Sequence, residues 1–485
     1  MCMELSLAGI KKTLCVVVAF GLTAASAHGQ LVINPASNYA VGTRPSGVAL
    51  ADFDNDGDID VATTVDDPDR IVVLLNDGSG QFVLGPSTLL PASSSPQDVV
   101  AGDLDGDGNI DLAVAVRDPQ GAVLIMLNTG AGSFVNNGSV GVGVRPRGLD
   151  IADMDGDGDL DLALANRDSN TASVLTNNGV GGFTAATFAA GAEPRKAEFL
   201  DFEGDGDLDL AVTNHDARTI GLFTNNGGNF VSSGTLSVGP FVRPEGIDSA
   251  DLNNDGFADI VVAVDDQTFN INQAMVFLNT GGSFSGPFAY DTGGARTGQI
   301  TVDDFDCDGL IDLATTNRDS NNVSFLANLG GAAFGAPMLM AASIRPGAID
   351  TADFDGDGDP DIAVANRDSN NISIFINDTC AVEPECAEDF ECDDDQFCNG
   401  AEVCMAGQCQ AGQAPNCDDG DLCTNDGCDP VKGCVSTPVA CPDGQSCNPG
   451  TGMCEATTCL GDLDGDGIID AFDLALLLGN WGPCK

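Results

Sequence analysis

Along most of the chain, apolar residues come in short runs, each closed by Gly, Asn or Asp and none in helical spacing. The clearest stretch is RPRGLDIADMDGDGDLDLALANRDSNTASVLTNNGVGGF, from Arg145 to Phe183. The runs Gly148–Ala152, Leu162–Ala165, Ala172–Thr176 and Phe183–Ala190 predict four short strands joined by turns. The same phrase returns seven times. Its motif, D-x-[DEN]-x-D-G-x-x-D, begins at Asp52, Asp103, Asp153, Asp201, Asp251, Asp304 and Asp353, at intervals of 48 to 53 residues. Four antiparallel strands at that period predict the blade of a β-propeller. A solenoid would need atypical capping repeats, which this sequence does not show. The seventh repeat enters a cysteine-rich stretch after its third strand, Ile372–Ile376, while Leu31–Val41 precedes the first repeat as a strand without one. The expectation is an all-β, seven-bladed propeller over residues 31–378, closed by the N-terminal strand. A disulfide-rich module over 379–458 and a short calcium loop and helix over 459–485 follow it.

Positions 1, 3, 5 and 9 of each motif present side-chain oxygens, position 6 is Gly for a sharp turn, and position 7 can lend its backbone carbonyl. At positions 1, 3, 5, 7 and 9, the first three loops carry Asp52, Asp54, Asp56, Asp58 and Asp60; Asp103, Asp105, Asp107, Asn109 and Asp111; and Asp153, Asp155, Asp157, Asp159 and Asp161. The fourth and fifth carry Asp201, Glu203, Asp205, Asp207 and Asp209, and Asp251, Asn253, Asp255, Phe257 and Asp259. The last two carry Asp304, Asp306, Asp308, Leu310 and Asp312, and Asp353, Asp355, Asp357, Asp359 and Asp361. An all-oxygen set suits calcium better than zinc or copper. Without a cation, carboxylates about 4 Å apart repel by roughly 4 kcal/mol per pair at an effective dielectric near 20. Glu203 and Asn253 depart from Asp but keep an oxygen donor. A hairpin preference for Asp-Gly explains one such turn, but not the same four positions seven times.

The C-terminal CLGDLDGDGIIDAFDLALLLGNWGPC is a different object. Asp462, Asp464, Asp466, Asp470 and Asp473 stand at positions 1, 3, 5, 9 and 12 of an EF-hand-like loop, with Gly467 at 6 and the Ile468 carbonyl at 7. That gives calcium up to eight sites. The helix expected over 472–478 is too apolar to stand alone in water.

The seven repeats, with phrases such as ANRDSNTASVL and ANRDSNNISIF, resemble the FG-GAP/VCBS repeat family found also in the integrin α-subunit propeller. The resemblance implies calcium held between the first and second strands of each blade. It leaves the ligand open, because the repeat serves adhesion proteins, lectins, lyases and toxins alike. The terminal loop and helix, with GDLDGDG and the LLGNWG ending, resemble one half of a type I dockerin. Dockerins have two such halves and dock a cohesin; this chain has one, bracketed by Cys459 and Cys484. The stretch Cys423–Asp429 followed by Gly433-Cys434 resembles CTDC-type repeats of secreted proteins.

Antiparallel alternation puts the Arg-Pro and NRDSN loops on the face opposite the calcium loops. There the sequence repeats Arg44, Arg145, Arg195, Arg243, Arg296 and Arg345, with Asp168, Asp319 and Asp368. These residues are either a polar ligand rim near the axis or pairs that fasten neighbouring blades, and their regularity favours fastening. His215 replaces Arg in one such loop and reads as a surface variant.

Charge and cysteines set the context. With 74 acidic and 18 basic residues the net charge is -56, which excludes nucleic acid and anionic membranes as partners. Lys11-Lys12, the apolar Leu14–Leu22 and Ala25-Ser26-Ala27 read as a secretory signal peptide over 1–27, too short to span a membrane. Cysteines concentrated after Cys380 imply a disulfide framework in an oxidising compartment, with no CxxC or His to argue for zinc, while Cys307 stands alone. The sequence therefore predicts an exported calcium-binding recognition or adhesion protein, with an extracellular protein or glycan as ligand and a cohesin-like or cell-surface partner for the tail. The alternative is an extracellular polysaccharide lyase or hydrolase. Against it, no acid/base cluster stands out, and Tyr39 and Tyr290 fall in fourth strands away from the axis.

Overall fold

The computed structural model describes residues 31–379 apart from 118, 119 and 267–270, together with a hairpin near the N-terminus and parts of 403–456. It divides at Ala381/Val382 into two units. Most of the leader expected over 1–27, the loop over 462–473 apart from Ala471, and the helix expected over 472–478 lie outside the described residues; within 1–15 two strands, Cys2–Leu7 and Ile10–Cys15, pair antiparallel.

Seven four-stranded antiparallel sheets make up the first unit. Blade 3 runs Pro146–Ala152, Asp161–Asn166, Thr171–Asn177 and Phe183–Ala189, within two residues of the apolar runs that predict it. Every residue of its second strand is buried, whereas its fourth alternates between partly buried and exposed, as an outer edge facing water should. In the sheet of blade 7, Pro346–Ala352, Asp361–Asn366 and Asn371–Phe375 are joined by Ser37–Ala40, with Ser37 opposite Ile374 and Ala40 opposite Asn371.

Neighbouring blades pack face to face and share their cores. Met154, Ala163 and Val174 of blade 3 meet Phe199, Val212 and Phe223 of blade 4; Phe354 and Ile372 of blade 7 meet Val61 and Leu74 of blade 1. Position 2 of every acidic loop contributes to this core: Phe53, Leu104, Met154, Phe202, Leu252, Phe305 and Phe354 are all at most 2% exposed. A charged loop is thus held down by one large apolar side chain beneath it.

A polar suture binds the ring. The Asn at the end of each blade's third strand, or two residues beyond it in blades 6 and 7, donates its side-chain N–H to the position-2 carbonyl of the blade before. Asn128 reaches Phe53, Asn177 reaches Leu104, Asn225 reaches Met154, Asn279 reaches Phe202, Asn328 reaches Leu252 and Asn377 reaches Phe305, at 2.8–3.1 Å. Asn76 of blade 1 reaches Phe354 of blade 7 at 2.7 Å. The same amide nitrogen in blade 4 also donates to the Leu208 carbonyl. Asn225→Ala leaves two acceptors unpaired and is expected to cost about 2–3 kcal/mol in denaturant unfolding; an unchanged midpoint would remove the suture from the account.

The NRDSN turns fasten the opposite face. Asn170, Asn321 and Asn370 hold left-handed φ near 55–61°, and their side-chain oxygens accept the backbone N–H of Glu193, Arg345 and Arg44 in the following blade. These contacts correct the expected role of the arginines. Arg145–Asp168 at 3.7 Å, Arg296–Asp319 at 3.6 Å and Arg345–Asp368 at 3.5 Å pair within one blade, half exposed, and the asparagines do the fastening. Arg195 also leaves the series: Glu193 takes the left-handed position that Arg145 holds in blade 3, which places Arg195 in register with Arg147.

In the second unit three hairpins are described, among them Thr424–Asp429 with Gly433–Pro438. Disulfides Cys417–Cys434, Cys423–Cys447 and Cys441–Cys454 link residues 13 to 24 apart, and stand in for a core in a stretch with few large apolar side chains. Cys307, expected to stand alone, is also disulfide-bonded. Among the described residues no helix is long and apolar enough to cross a membrane.

Candidate functional site

Two constellations emerge, the acidic loops and an axial cavity. In each loop the backbone is wound around the carboxylates. The position-1 Asp accepts the N–H of the position-6 Gly at 2.7–3.0 Å in all seven copies. Those glycines have φ between 84° and 101°, a region that penalises any side chain. The position-5 Asp accepts the position-7 N–H at 2.8–3.3 Å. The position-9 Asp begins the second strand, buried, with one oxygen on the position-2 N–H and the other on the N–H of the suture Asn, as in Asp60 with Phe53 and Asn76.

Position 3 differs among the loops: Asp105 accepts the Asp107 N–H and Glu203 accepts from Thr224, whereas three other loops leave one oxygen without a protein donor. Asp54 Oδ1, Asn253 Oδ1 and Asp355 Oδ1 are buried and unpaired, and at position 7 so is Asp207 Oδ1. Ligand oxygens of Asp52, Asp54 and Asp60 lie within 4.8 Å of one another, as do those of Asp103, Asp105 and Asp111 and of Asp153, Asp155 and Asp161. Burial, helped by the carboxylates at positions 3 and 5, pushes Asp60 and Asp361 up to about 7 and Asp111 and Asp161 to about 6. Buried, unpaired oxygens converging in a ring of mutually repelling carboxylates fit a hard divalent cation.

The second constellation was mostly invisible in the sequence. The first strands of all seven blades, with the turns after the second strands, line a cavity of about 920 Å³. Near its floor Lys196 is ringed by Asp98, Asp150, Glu198, Asp248 and Asp350. Burial would lower the Lys196 ammonium, but Glu198, Asp248, Asp150 and Asp98 outweigh it and hold it above its ordinary value. Burial raises Asp98, Asp150, Glu198 and Asp248, and lifts Asp350 to about 7. Three of these acids tie adjacent blades: Asp98 accepts from Leu149 N–H, Asp150 from Phe199 N–H and Asp248 from Val302 N–H, at 2.6–3.2 Å. The charged cluster around Lys196 is thus bonded across blade boundaries.

The mouth of the cavity carries eight arginines. His215, expected on the surface, is instead 8% exposed, because the turn after the second strand directs it to the axis. Its Nε2 lies 3.4 Å from Glu245 and its Nδ1 3.4 Å from Glu193. Glu193 is ion-paired with Arg167 and Arg195, and Glu245 with Arg318 at 3.8 Å. Burial, then the charge of Arg195, pushes His215 below its ordinary value. Burial would raise Glu245, but Arg318 and Arg195 overcome it and hold the carboxyl low, while burial lifts neighbouring Asp265 to about 6. The one legible signal was that His215 takes the place of Arg in a repeated turn. Tyr39 and Tyr290 lie in fourth strands, as expected, with Tyr290 Oη donating to the Ala332 carbonyl at 2.9 Å.

Seven sheets, each opened by an Asp-rich loop between its first two strands, define a repeat propeller. The chain belongs to the FG-GAP-like repeat family, whose model matches residues 52–114, 104–164, 153–212, 201–262 and 304–364. Residues 416–439 match the Dictyostelium (slime mold) repeat. No curated protein matches the chain. A Lactobacillus plantarum protein of known crystal structure is 15% identical at a TM-score of 0.50, over 64% of this chain and 88% of that one. The periplasmic gluconolactonase of Pseudomonas aeruginosa is 15% identical at 0.48, over 64% and 97%. A functionally unknown protein from Desulfotomaculum acetoxidans is 14% identical at 0.43, over 63% and 90%. At such identities the likeness concerns fold alone.

Proposed function

We propose that this chain is an exported, calcium-stabilised recognition or adhesion protein. Its seven acidic loops hold calcium on one face of the ring, and the opposite face, with the axial cavity, receives a ligand. The observation that carries the reading is the buried, unpaired position-3 oxygen of Asp54, Asn253 and Asp355, set among carboxylates that already anchor the loop backbone. Positions 1, 3, 5 and 9 would hold the ion by side chain and position 7 by its carbonyl. Bound calcium supplies the positive charge these carboxylates lack. The disulfide-rich unit serves as a stalk, and the dockerin-like tail over 459–485 attaches the chain to a cohesin-like or cell-surface partner. Asp54→Ala and Asp355→Ala are each expected to abolish one calcium site in a calorimetric titration; unchanged stoichiometry in both would overturn the assignment.

A second reading, an enzyme acting on acidic polysaccharide, is favoured by one observation. Asp265, lifted to about 6, sits beside Glu245, which is held low, and such a split suits general acid and base roles. A glycan array run beside turnover assays on acidic polysaccharides separates binding from catalysis: product release that stops in Glu245→Gln would favour the enzyme.

A further inference from the structure

The chain has a strongly acidic composition, yet eight arginines gather at one cavity mouth. Most are answered by acids nearby: Arg167 and Arg195 by Glu193, Arg318 by Glu245, Arg367 by Asp66, Arg296 by Asp319 and Arg345 by Asp368. Arg147 and Arg243 form no such pair, although the charge of Glu245 is felt at Arg147. Neither side chain makes an ion pair or hydrogen bond with a described residue, and the Nε of each is buried without a partner, as is that of Arg195. A buried guanidinium donor left unpaired is costly, and the fork of a guanidinium matches a carboxylate in two parallel hydrogen bonds.

The rest of the lining narrows the ligand. Among the described residues its lining contains no Phe, Tyr or Trp, so the cavity lacks the large aromatic faces on which a nucleobase usually stacks. It does offer acceptors: Glu193, Glu245, Asp265 and Asp266 stand beside the arginines, with Gln299 and Thr301 deeper in. Donors for one anionic group and acceptors for several hydroxyls fit a polyhydroxylated carboxylate. A cavity of about 920 Å³ admits one or a few sugar units.

We infer that the axial cavity is a binding site for a sugar acid, free or at the end of an acidic oligosaccharide, with Arg147 and Arg243 gripping the carboxylate and the mouth acids accepting from its hydroxyls. The cavity opens on the Arg-Pro and NRDSN side of the ring, opposite the acidic loops, and the site is separate from the calcium ligands. Burial, then the nearby charge of Arg195, pushes the Arg147 guanidinium below its ordinary value, with Glu245 offsetting part of the shift. The inference rests on the propeller being a ligand-presenting head, and it names what that head receives.

The test is calorimetry on the full chain in calcium buffer, with sodium glucuronate, glucose and sodium sulfate as probes. Glucuronate is expected to bind at least about tenfold more tightly than glucose or sulfate, which corresponds to about 1.4 kcal/mol. Arg147→Gln and Arg243→Gln should each weaken glucuronate by about tenfold or more while the calcium-dependent melt stays in place. If Arg147→Gln fails to fold, Arg243→Gln decides. Equal binding of glucose, equal binding of sulfate, no glucuronate binding, or undiminished binding in the folded variants would each overturn the inference. A chelator-sensitive melt without glucuronate binding would sink the sugar-acid site and leave the calcium reading standing.

Discussion

Excess EGTA is expected to lower the melting temperature of the propeller by on the order of 20 °C. The size follows from mass action. At roughly millimolar external calcium and a dissociation constant of about 10 µM, each filled loop stabilises the folded ring by about 2.7 kcal/mol. Seven loops share that dependence, and their position-9 aspartates are also the residues that pin the suture asparagines, as Asp60 pins Asn76 and Asp209 pins Asn225. Loss of the ion therefore acts on the joints between blades as well as on exposed turns. Re-adding calcium should restore the melt and magnesium should do so poorly, because the small ion demands near-octahedral ligands. A melt indifferent to chelator would contradict the assignment.

Lys196→Met is expected to destabilise the ring by about 3–5 kcal/mol, since it leaves five buried carboxylates around an absent cation. The effect should depend on pH in a defined direction. Burial already raises Asp98, Asp150, Glu198 and Asp248 and lifts Asp350 to about 7, and Lys196 opposes the rise at all five, beside backbone hydrogen bonds to the four aspartates. Without it these pKa values climb further above their unfolded values. A carboxyl whose folded pKa is raised favours the fold while it is protonated, and that contribution disappears as pH rises through the folded pKa. The variant should thus lie closest to wild type near pH 5 and furthest from it near pH 8, as read from paired thermal melts. A deficit that grows on acidification would show that the charged cluster is not held by this balance.

The blades and the acidic loops were legible because each is written within about ten consecutive residues and then repeated. Gly158 must turn the chain, Asp153 must cap that turn, and the spacing of the two says so without a structure. The suture was half legible, since an Asn closes or closely follows every third strand, but its partner stands more than seventy positions away in the blade before. The axial cavity was hidden for the same reason. Lys196, Asp98, Asp150 and Asp248 come from separate blades, and only ring closure brings them together. Counting arginines by their place in the phrase misplaced Arg195, because in blade 4 Glu193 takes the left-handed corner and shifts the cation two residues inward. His215 was misjudged for a related cause: turn residues are usually solvated, but this turn is folded over the mouth of a channel.

The central claim is that the repeated acidic loops are calcium sites, and the most direct measurement is the number of calcium ions each chain retains. Protein stripped with chelator, dialysed against calcium and assayed by elemental analysis should carry about seven ions on the propeller, with up to one more if the terminal loop also fills. Retention of no calcium, or of a single ion, would contradict it.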